Sequence, residues 1–277
     1  WGDELWEASE PPSVGLLSSW DTQAIYTCEP EREDLPEGPS DIARGTKMQP
    51  QWAQLGAARA LLGAHVPFEY LTEAELVEGI ALRYPTIYAP HLRAVSIEVI
   101  EALEAYVRGG GRLIADVQFA FLDPWGKLQP RGEGSTLERL FGAWVDVIHD
   151  ARTEPRRVGP MTIDGFFGKL ELTCAKTLGR FDDGAPAVVQ HTLGKGTATL
   201  VGFDAARMCH LSGREDVERF LVDLCLDEQP PAWRCDAPLV VRRSAPAADH
   251  YFLLNGGPAR MAQIAASRYP DPVIIRT

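Results

Sequence analysis

The chain has 277 residues, 45% of them hydrophobic, enough to bury a sizeable core as one large domain or two smaller ones. Lys and Arg total 27 against 39 Asp and Glu, and the net charge of -12 gives no electrostatic support for tracking a phosphate backbone, so nucleic acid is not expected as a partner. No run approaches the roughly 18 consecutive apolar residues of a membrane span, and the N-terminus lacks the basic-then-apolar order of a signal peptide. No membrane partner is expected, and the chain reads as cytoplasmic, or as secreted with its signal removed. The five cysteines, Cys28, Cys174, Cys209, Cys225 and Cys235, are odd in number, widely spaced and nowhere arranged as CxxC, so neither a disulfide framework nor a zinc site is signalled. The sequence opens at Trp1 without a Met, and WGDELWEASEPP reads as the tail of a preceding region, residues 1–12, which points to a fragment or a processed chain.

Short apolar strands then alternate with amphipathic helices, the pattern of a mostly parallel sheet with crossover helices. Residues 14–18 (VGLLS) form the first strand, and residues 28–50 a polar, Pro-rich loop. Residues 51–63 place Trp52, Leu55, Ala58, Leu61 and Leu62 at helical spacing. Residues 66–70 (VPFEY) are the second strand, 73–78 a short helix and 86–89 (TIYA) the third strand. Ser96 caps a helix carrying Ile97, Ile100, Leu103 and Val107, which ends at Gly109, Gly110 and Gly111. That triple glycine precedes the fourth strand, 112–116 (RLIAD), so it is a helix C-cap feeding a turn; a phosphate cradle would need a helix N-terminus after it.

Further on, residues 136–141 suggest a short helix, 169–173 an edge strand, and 187–191 with 197–202 a hairpin around Leu193, Gly194, Lys195 and Gly196. Residues 214–226 close the domain as a helix with Val217, Phe220, Leu221 and Leu224 inward. Gln229, Pro230 and Pro231 stop it. Residues 239–243, 250–255 and 273–276 then read as strands of a small β module, 232–277, too short for an independent core and expected to lean on the domain spanning 13–229 or to be cut short. The expected fold is α/β, a flavodoxin-like parallel sheet in the order 2-1-3-4, extended by the 187–202 hairpin, with helices on both faces.

Several stretches carry a family resemblance. PSVGLLSSWDTQAIY, GAHVPFEYLTEAEL, YPTIYAPHLRAVSIEVIEALEAYVRGGGRLIAD, LERLFG and GAPAVVQHTLGKGTATLVGF resemble the middle, trimerisation domain of family 42 glycoside hydrolases, which are β-galactosidases, and HYFLLNGG resembles the start of the β-domain after it. The resemblance covers most of residues 11–260 as a pattern of strand and loop signatures. It implies a relative of the class I glutamine amidotransferase fold that packs subunits into a homotrimer, behind a TIM barrel carrying two catalytic glutamates. A barrel needs about 250 residues of its own, so the acid and nucleophile of such a parent lie outside this sequence.

No complete catalytic set is expected within the chain, and no cofactor. An amidotransferase-type nucleophile belongs at the turn after RLIAD, where Val117, Gln118, Phe119, Ala120 and Phe121 offer neither Cys nor Ser. Cys209 and His210 are sequence neighbours whose side chains point apart, and Cys174, Cys209 and Cys225 read as core or structural thiols. Asp182 and Asp183 before Gly184 read as a turn. His65, His91 and His191 lack metal-pair spacing, so no metal is implied. Asp116 and Asp123 flank the end of the fourth strand, where open α/β sheets bind ligands, although loop capping serves the same residues. Trp20, Tyr26, Trp125 and Trp144 fall in or beside loops; Trp144 suits packing, whereas Trp20 and Trp125 follow the first and fourth strands and are candidates to face a carbohydrate.

An apolar patch for trimerisation, on the order of 1,000 Å² or more in total, is sought where the core makes no evident demand. The candidates are the loop 29–50, FAFLDPW and DGFFGKL, with Phe119, Phe121, Leu122, Trp125, Phe166 and Phe167 as aromatic and apolar anchors. Two readings stay open: a non-catalytic oligomerisation region of a glycoside hydrolase, and a free-standing amidotransferase-like domain that binds a small molecule or sugar without hydrolysing it.

Overall fold

The computed structural model describes residues 8–28, 48–151, 154–226, 233–236, 239–245, 248–254, 258, 261–266 and 273–276. The loop 29–47, residues 1–7, the boundary at 229–232 and the strand end at residue 255 lie outside the described residues.

In chain order the first domain runs β1 (Val14–Ser18), α1 (Trp20–Cys28), α2 (Gln49–Gly63), β2 (Phe68–Thr72), α3 (Glu73–Val77), a 3-10 turn at Ile80–Arg83, β3 (Thr86–Ala89), α4 (Ile97–Gly109) and β4 (Arg112–Ala115). It continues through α5 (Thr136–Phe141), β5 (Ala143–Asp150), β6 (Arg157–Val158), β7 (Met161–Thr162), β8 (Phe166–Leu172), β9 (Lys176–Arg180), β10 (Pro186–Leu193) and β11 (Gly196–Val201) to α6 (Ala205–Ser212) and α7 (Glu215–Leu226). The C-terminal module holds β12 (Trp233–Cys235), β13 (Leu239–Ser244), β14 (Asp249–Leu254), β15 (Met261–Ala266) and β16 (Val273–Arg276).

The main sheet has seven strands in the order β2-β1-β3-β4-β11-β10-β9. VGLLS and TIYA are parallel neighbours, Val14 opposite Thr86, as the expected 2-1-3-4 order requires. β1 and β3 are almost wholly buried runs, because a central parallel strand is covered on both faces. The edge strand β2 exposes most of its residues.

One apolar layer packs α3, α4 and α5 on the sheet through Leu103, Leu113 and Phe141. The opposite layer packs α2, α6 and α7 through Leu61, Phe203 and Leu221. Helices α2 and α6 meet at Gly56, where a Cβ would fall 1.8 Å from the Ala206 carbonyl oxygen, so only glycine admits that approach. Ser96 caps α4 by accepting from the Val99 N–H at 3.3 Å, and Gly110, at φ 120°, ends it.

Three expectations need correction. Residues 169–172 belong to β8, which pairs with β5 as a separate two-stranded sheet; β9 takes the edge of the main sheet. Tyr26 lies within helix α1, which Trp20 opens, because Ser19 accepts the Thr22 N–H at 3.0 Å and starts a helix where none was expected. Cys174 is exposed, since residues 173–175 turn to aim three backbone N–H groups at the Gly142 carbonyl.

The C-terminal module has a small apolar cluster of its own, Trp233, Val240 and Ala262. It leans on the first domain, with Trp233 beside His65 at 4.9 Å between ring centroids. Residues 8–10 tie into it: Ser9 pairs with Ser244, Arg243 donates to the Ala8 carbonyl at 2.6 Å, and Glu10 accepts from Trp233 Nε1 at 3.1 Å.

Candidate functional site

The carboxyl ends of the parallel strands place polar residues in one buried cluster. After β1, helix α1 brings Tyr26; after β3 comes His91; β4 is followed by Asp116 and Gln118; β11 by Asp204 and, one turn into α6, Arg207. All six are buried. Asp204 Oδ1 lies 2.7 Å from His91 Nδ1, and a carboxylate there favours the Nδ1–H tautomer, leaving Nε2 to accept the Tyr26 hydroxyl at 2.6 Å. The Tyr26 hydroxyl is also 3.2 Å from Gln118 Oε1. The His91 backbone N–H donates to Asp116 Oδ2 at 2.8 Å.

This cluster is under strain. His91 sits at φ 54° and Ala120 at φ 49°, a region non-glycine residues avoid. Burial first, and then the neighbouring Asp204 charge, push the Asp116 carboxyl well above the usual carboxylate range. Burial pulls the Arg207 guanidinium down, opposed by Asp204 and Asp164. Asp116 Oδ1, Asp204 Oδ2 and all three Arg207 guanidinium nitrogens lack hydrogen-bond partners. The Tyr26–His91–Asp204 chain has the form of a proton relay, but its members are enclosed, so its evident work is to hold four strand ends together.

Over this floor lies a cleft of about 840 Å³ with Ser18, Trp20, Gln54, Tyr70, Glu73 and His91 in its walls. Glu73 opens α3 and is pushed up to about 7, by burial first and then by Asp21, while Ser19 and the Trp20 N–H lower it. The Thr72 capping box fixes the start of α3, and with it Glu73.

The structure separates the sequence candidates. Trp20 is 80% exposed and Trp125 is 86% exposed. Gly126, next to Trp125, faces Ile25 of α1, the helix that Trp20 opens. Asp116, expected to touch a ligand, is enclosed and bonds His91 instead. Asp123 caps its loop, accepting the Trp125 and Lys127 N–H groups at 2.9 Å each.

Of the expected interface anchors, Phe119, Leu122 and Phe167 are corrected to core residues. Phe119 packs edge-on against Phe141 at 5.6 Å, and Phe167 stacks on His149 at 5.1 Å, because packing under the loops claims these rings. Phe166 is half-buried against the core, and Phe121 is half-buried with the Arg131 guanidinium 3.6 Å from its ring centroid. Trp125 alone of the six is largely exposed.

Tyr26 as a network member, Glu73, His91, Asp204 and Arg207 were not singled out as site residues by sequence reasoning. Their shared signal is position, just past strand ends that the sheet order makes neighbours.

The sequence profile described as the β-galactosidase trimerisation domain matches residues 61–221. The chain belongs to this family. The β-galactosidase Bga of Halorubrum lacusprofundi is 30% identical over 141 residues, covering 43% of this chain and 20% of that protein. The β-galactosidase BglY of Alicyclobacillus acidocaldarius is 27% identical over 165 residues, 54% of this chain and 23% of that protein. Gan42B, a GH42 β-galactosidase of G. stearothermophilus, shares the fold at a TM-score of 0.71 and 19% identity, over 96% of this chain and 39% of that one. The chain thus spans well under half the length of these proteins and corresponds to the trimerisation region of GH42 β-galactosidase-like enzymes, a non-catalytic part. Nothing in these comparisons favours the free-standing alternative. Among the described residues, no helix is long and apolar enough to cross a membrane.

Proposed function

We propose that this chain joins subunits of a β-galactosidase-type glycoside hydrolase into a homotrimer, with the catalytic residues supplied by a barrel outside residues 1–277. The family match over residues 61–221 carries the reading. The division into a domain at 13–229, descended from an amidotransferase-like fold, and a small module at 232–277 belongs to the same proposal and is supported by the module's separate apolar cluster.

Exposed Trp125 is the anchor best placed for a subunit contact, and Phe121 and Phe166 keep part of their surface exposed. With a net charge of -12, the contact is apolar at its centre and leaves charge at the rim. Trp20, after β1, is left to face the carbohydrate of the assembled enzyme. The five cysteines, odd in number and nowhere arranged as CxxC, suit a reducing, cytoplasmic setting.

Light scattering of the intact parent enzyme at micromolar concentration tests the assembly. A trimer mass is expected, with weaker or no trimerisation of this chain alone, and a strictly monomeric parent would overturn it. The isolated chain is expected to turn over neither nitrophenyl galactoside nor glutamine.

A further inference from the structure

We propose that the cleft at the carboxyl ends of β1 and β2 binds a small organic cation, an ammonium group on a ring-shaped or apolar body, with Glu73 as counter-charge and Trp20 and Tyr70 as aromatic walls. The volume of about 840 Å³ lies in the range of small-molecule sites. Charge selects the ligand class. Among the described residues lining the cleft there is no Lys or Arg, while Glu73 stands in the wall and Asp21 lies beside it. A phosphate or carboxylate ligand would meet repulsion without a compensating cation.

Hydrogen bonding selects further. Glu73 Oε1 and Gln54 Oε1 lack donors, and the Gln54 amide nitrogen is committed to the Leu17 carbonyl at 2.7 Å. Both unfilled atoms are acceptors of cleft-lining residues, each enclosed by the wall around it, so the occupant that would complete them is a donor that the wall shifts to admit. Trp20 and Tyr70, 80% and 52% exposed, present ring surface of the kind that attracts an ammonium ion. The groups facing Glu73 are Asp21, the Ser19 hydroxyl and the Trp20 N–H; His91 stands in the wall as well. Because Glu73 titrates near 7, a bound cation draws it toward its ionised form, and affinity rises with pH. This inference does not depend on the assembly reading above.

Isothermal titration of the full chain with cyclohexylamine and with cyclohexanol tests it, since the two probes share a ring and differ in the charged donor. The amine is expected to bind, and the alcohol at least about tenfold more weakly. The ionised share of Glu73 rises about tenfold between about pH 6 and about pH 8, so amine affinity should rise by a similar factor while the amine stays charged throughout. Glu73→Gln should abolish that rise and the preference for the amine. Trp20→Ala, a change at an exposed side chain, should weaken amine binding with the thermal melt unchanged. Equal binding of amine and alcohol, no binding of millimolar amine, a flat pH response, or indifference to both substitutions would overturn the proposal.

Discussion

The two ends of the main sheet treat polar groups in opposite ways. At the amino end, Arg112 opens β4 and spends its guanidinium on the last carbonyls of α7, Cys225 at 3.1 Å and Leu224 at 3.0 Å. There too the Tyr106 hydroxyl reaches the Tyr84 carbonyl at 3.0 Å, and Thr86 donates to the Cys225 carbonyl at 3.3 Å. A cation placed on the negative end of a helix completes bonds that the helix leaves open. The carboxyl end instead gathers Asp116, Asp204 and Arg207 in an enclosed cluster that keeps unpaired oxygens and an unpaired guanidinium. Native proteins rarely leave such groups unpaired, and open α/β sheets bind ligands at this end. One end is closed for stability, and the other holds polar groups in an arrangement that stability alone does not explain.

The same substitution at the two ends sharpens that contrast. Arg112→Met should lower stability by about 2 kcal/mol, because two helix-end carbonyls lose charged donors, as a denaturant midpoint would report. Asp116→Asn should have the next effect, with the opposite sign. The folded-state pKa of Asp116 is raised, so the protonated carboxyl is compatible with folding and stability falls as pH rises through that raised value. Asparagine cannot ionise, and its carbonyl still accepts the His91 N–H. A gain in stability at alkaline pH that vanishes in acid is expected from melts across pH. Arg207→Met should cost less than Arg112→Met, about 1 kcal/mol, since no hydrogen bond is lost and the relief of one buried charge is set against the cation that Asp204 and Asp164 lose. If Arg207→Met cost as much as Arg112→Met, the two ends would not differ as argued.

The strand order was legible in the sequence because buried parallel strands are written as unbroken apolar runs, VGLLS and TIYA, and Ser96 and the triple glycine mark the ends of α4. Helices α1 and α6 were not legible. WDTQAIYTC has no apolar stripe, and AARMCHLS is short and carries a buried arginine, so periodicity is silent in both. The network escaped for a related reason. Tyr26, His91, Asp116 and Asp204 are single polar residues far apart in sequence, and only the sheet order brings them together. Aromatic content over-counted the interface, since a run such as FAFLDPW does not reveal which rings its own loop buries: Phe119 turns in and Trp125 out.

Trp125→Ala gives the smallest expected change in stability and the most informative one for assembly. The ring is 86% exposed, and its loop is held by backbone bonds to Asp123 that do not involve the indole. Truncation should therefore move stability by less than about 0.5 kcal/mol, the ordinary range for an exposed position. A tryptophan at the centre of a subunit contact is another matter, because its burial against a partner is worth 2 kcal/mol or more in typical interfaces, about a thirtyfold loss in affinity. The informative outcome is thus a melt that does not move together with a parent trimer that dissociates at higher concentration, seen by light scattering over a dilution series. An unchanged trimer would remove Trp125 from the contact and leave Phe121 and Phe166 as its remaining anchors. A destabilised monomer would show instead that the loop after β4 depends on the indole for its own packing.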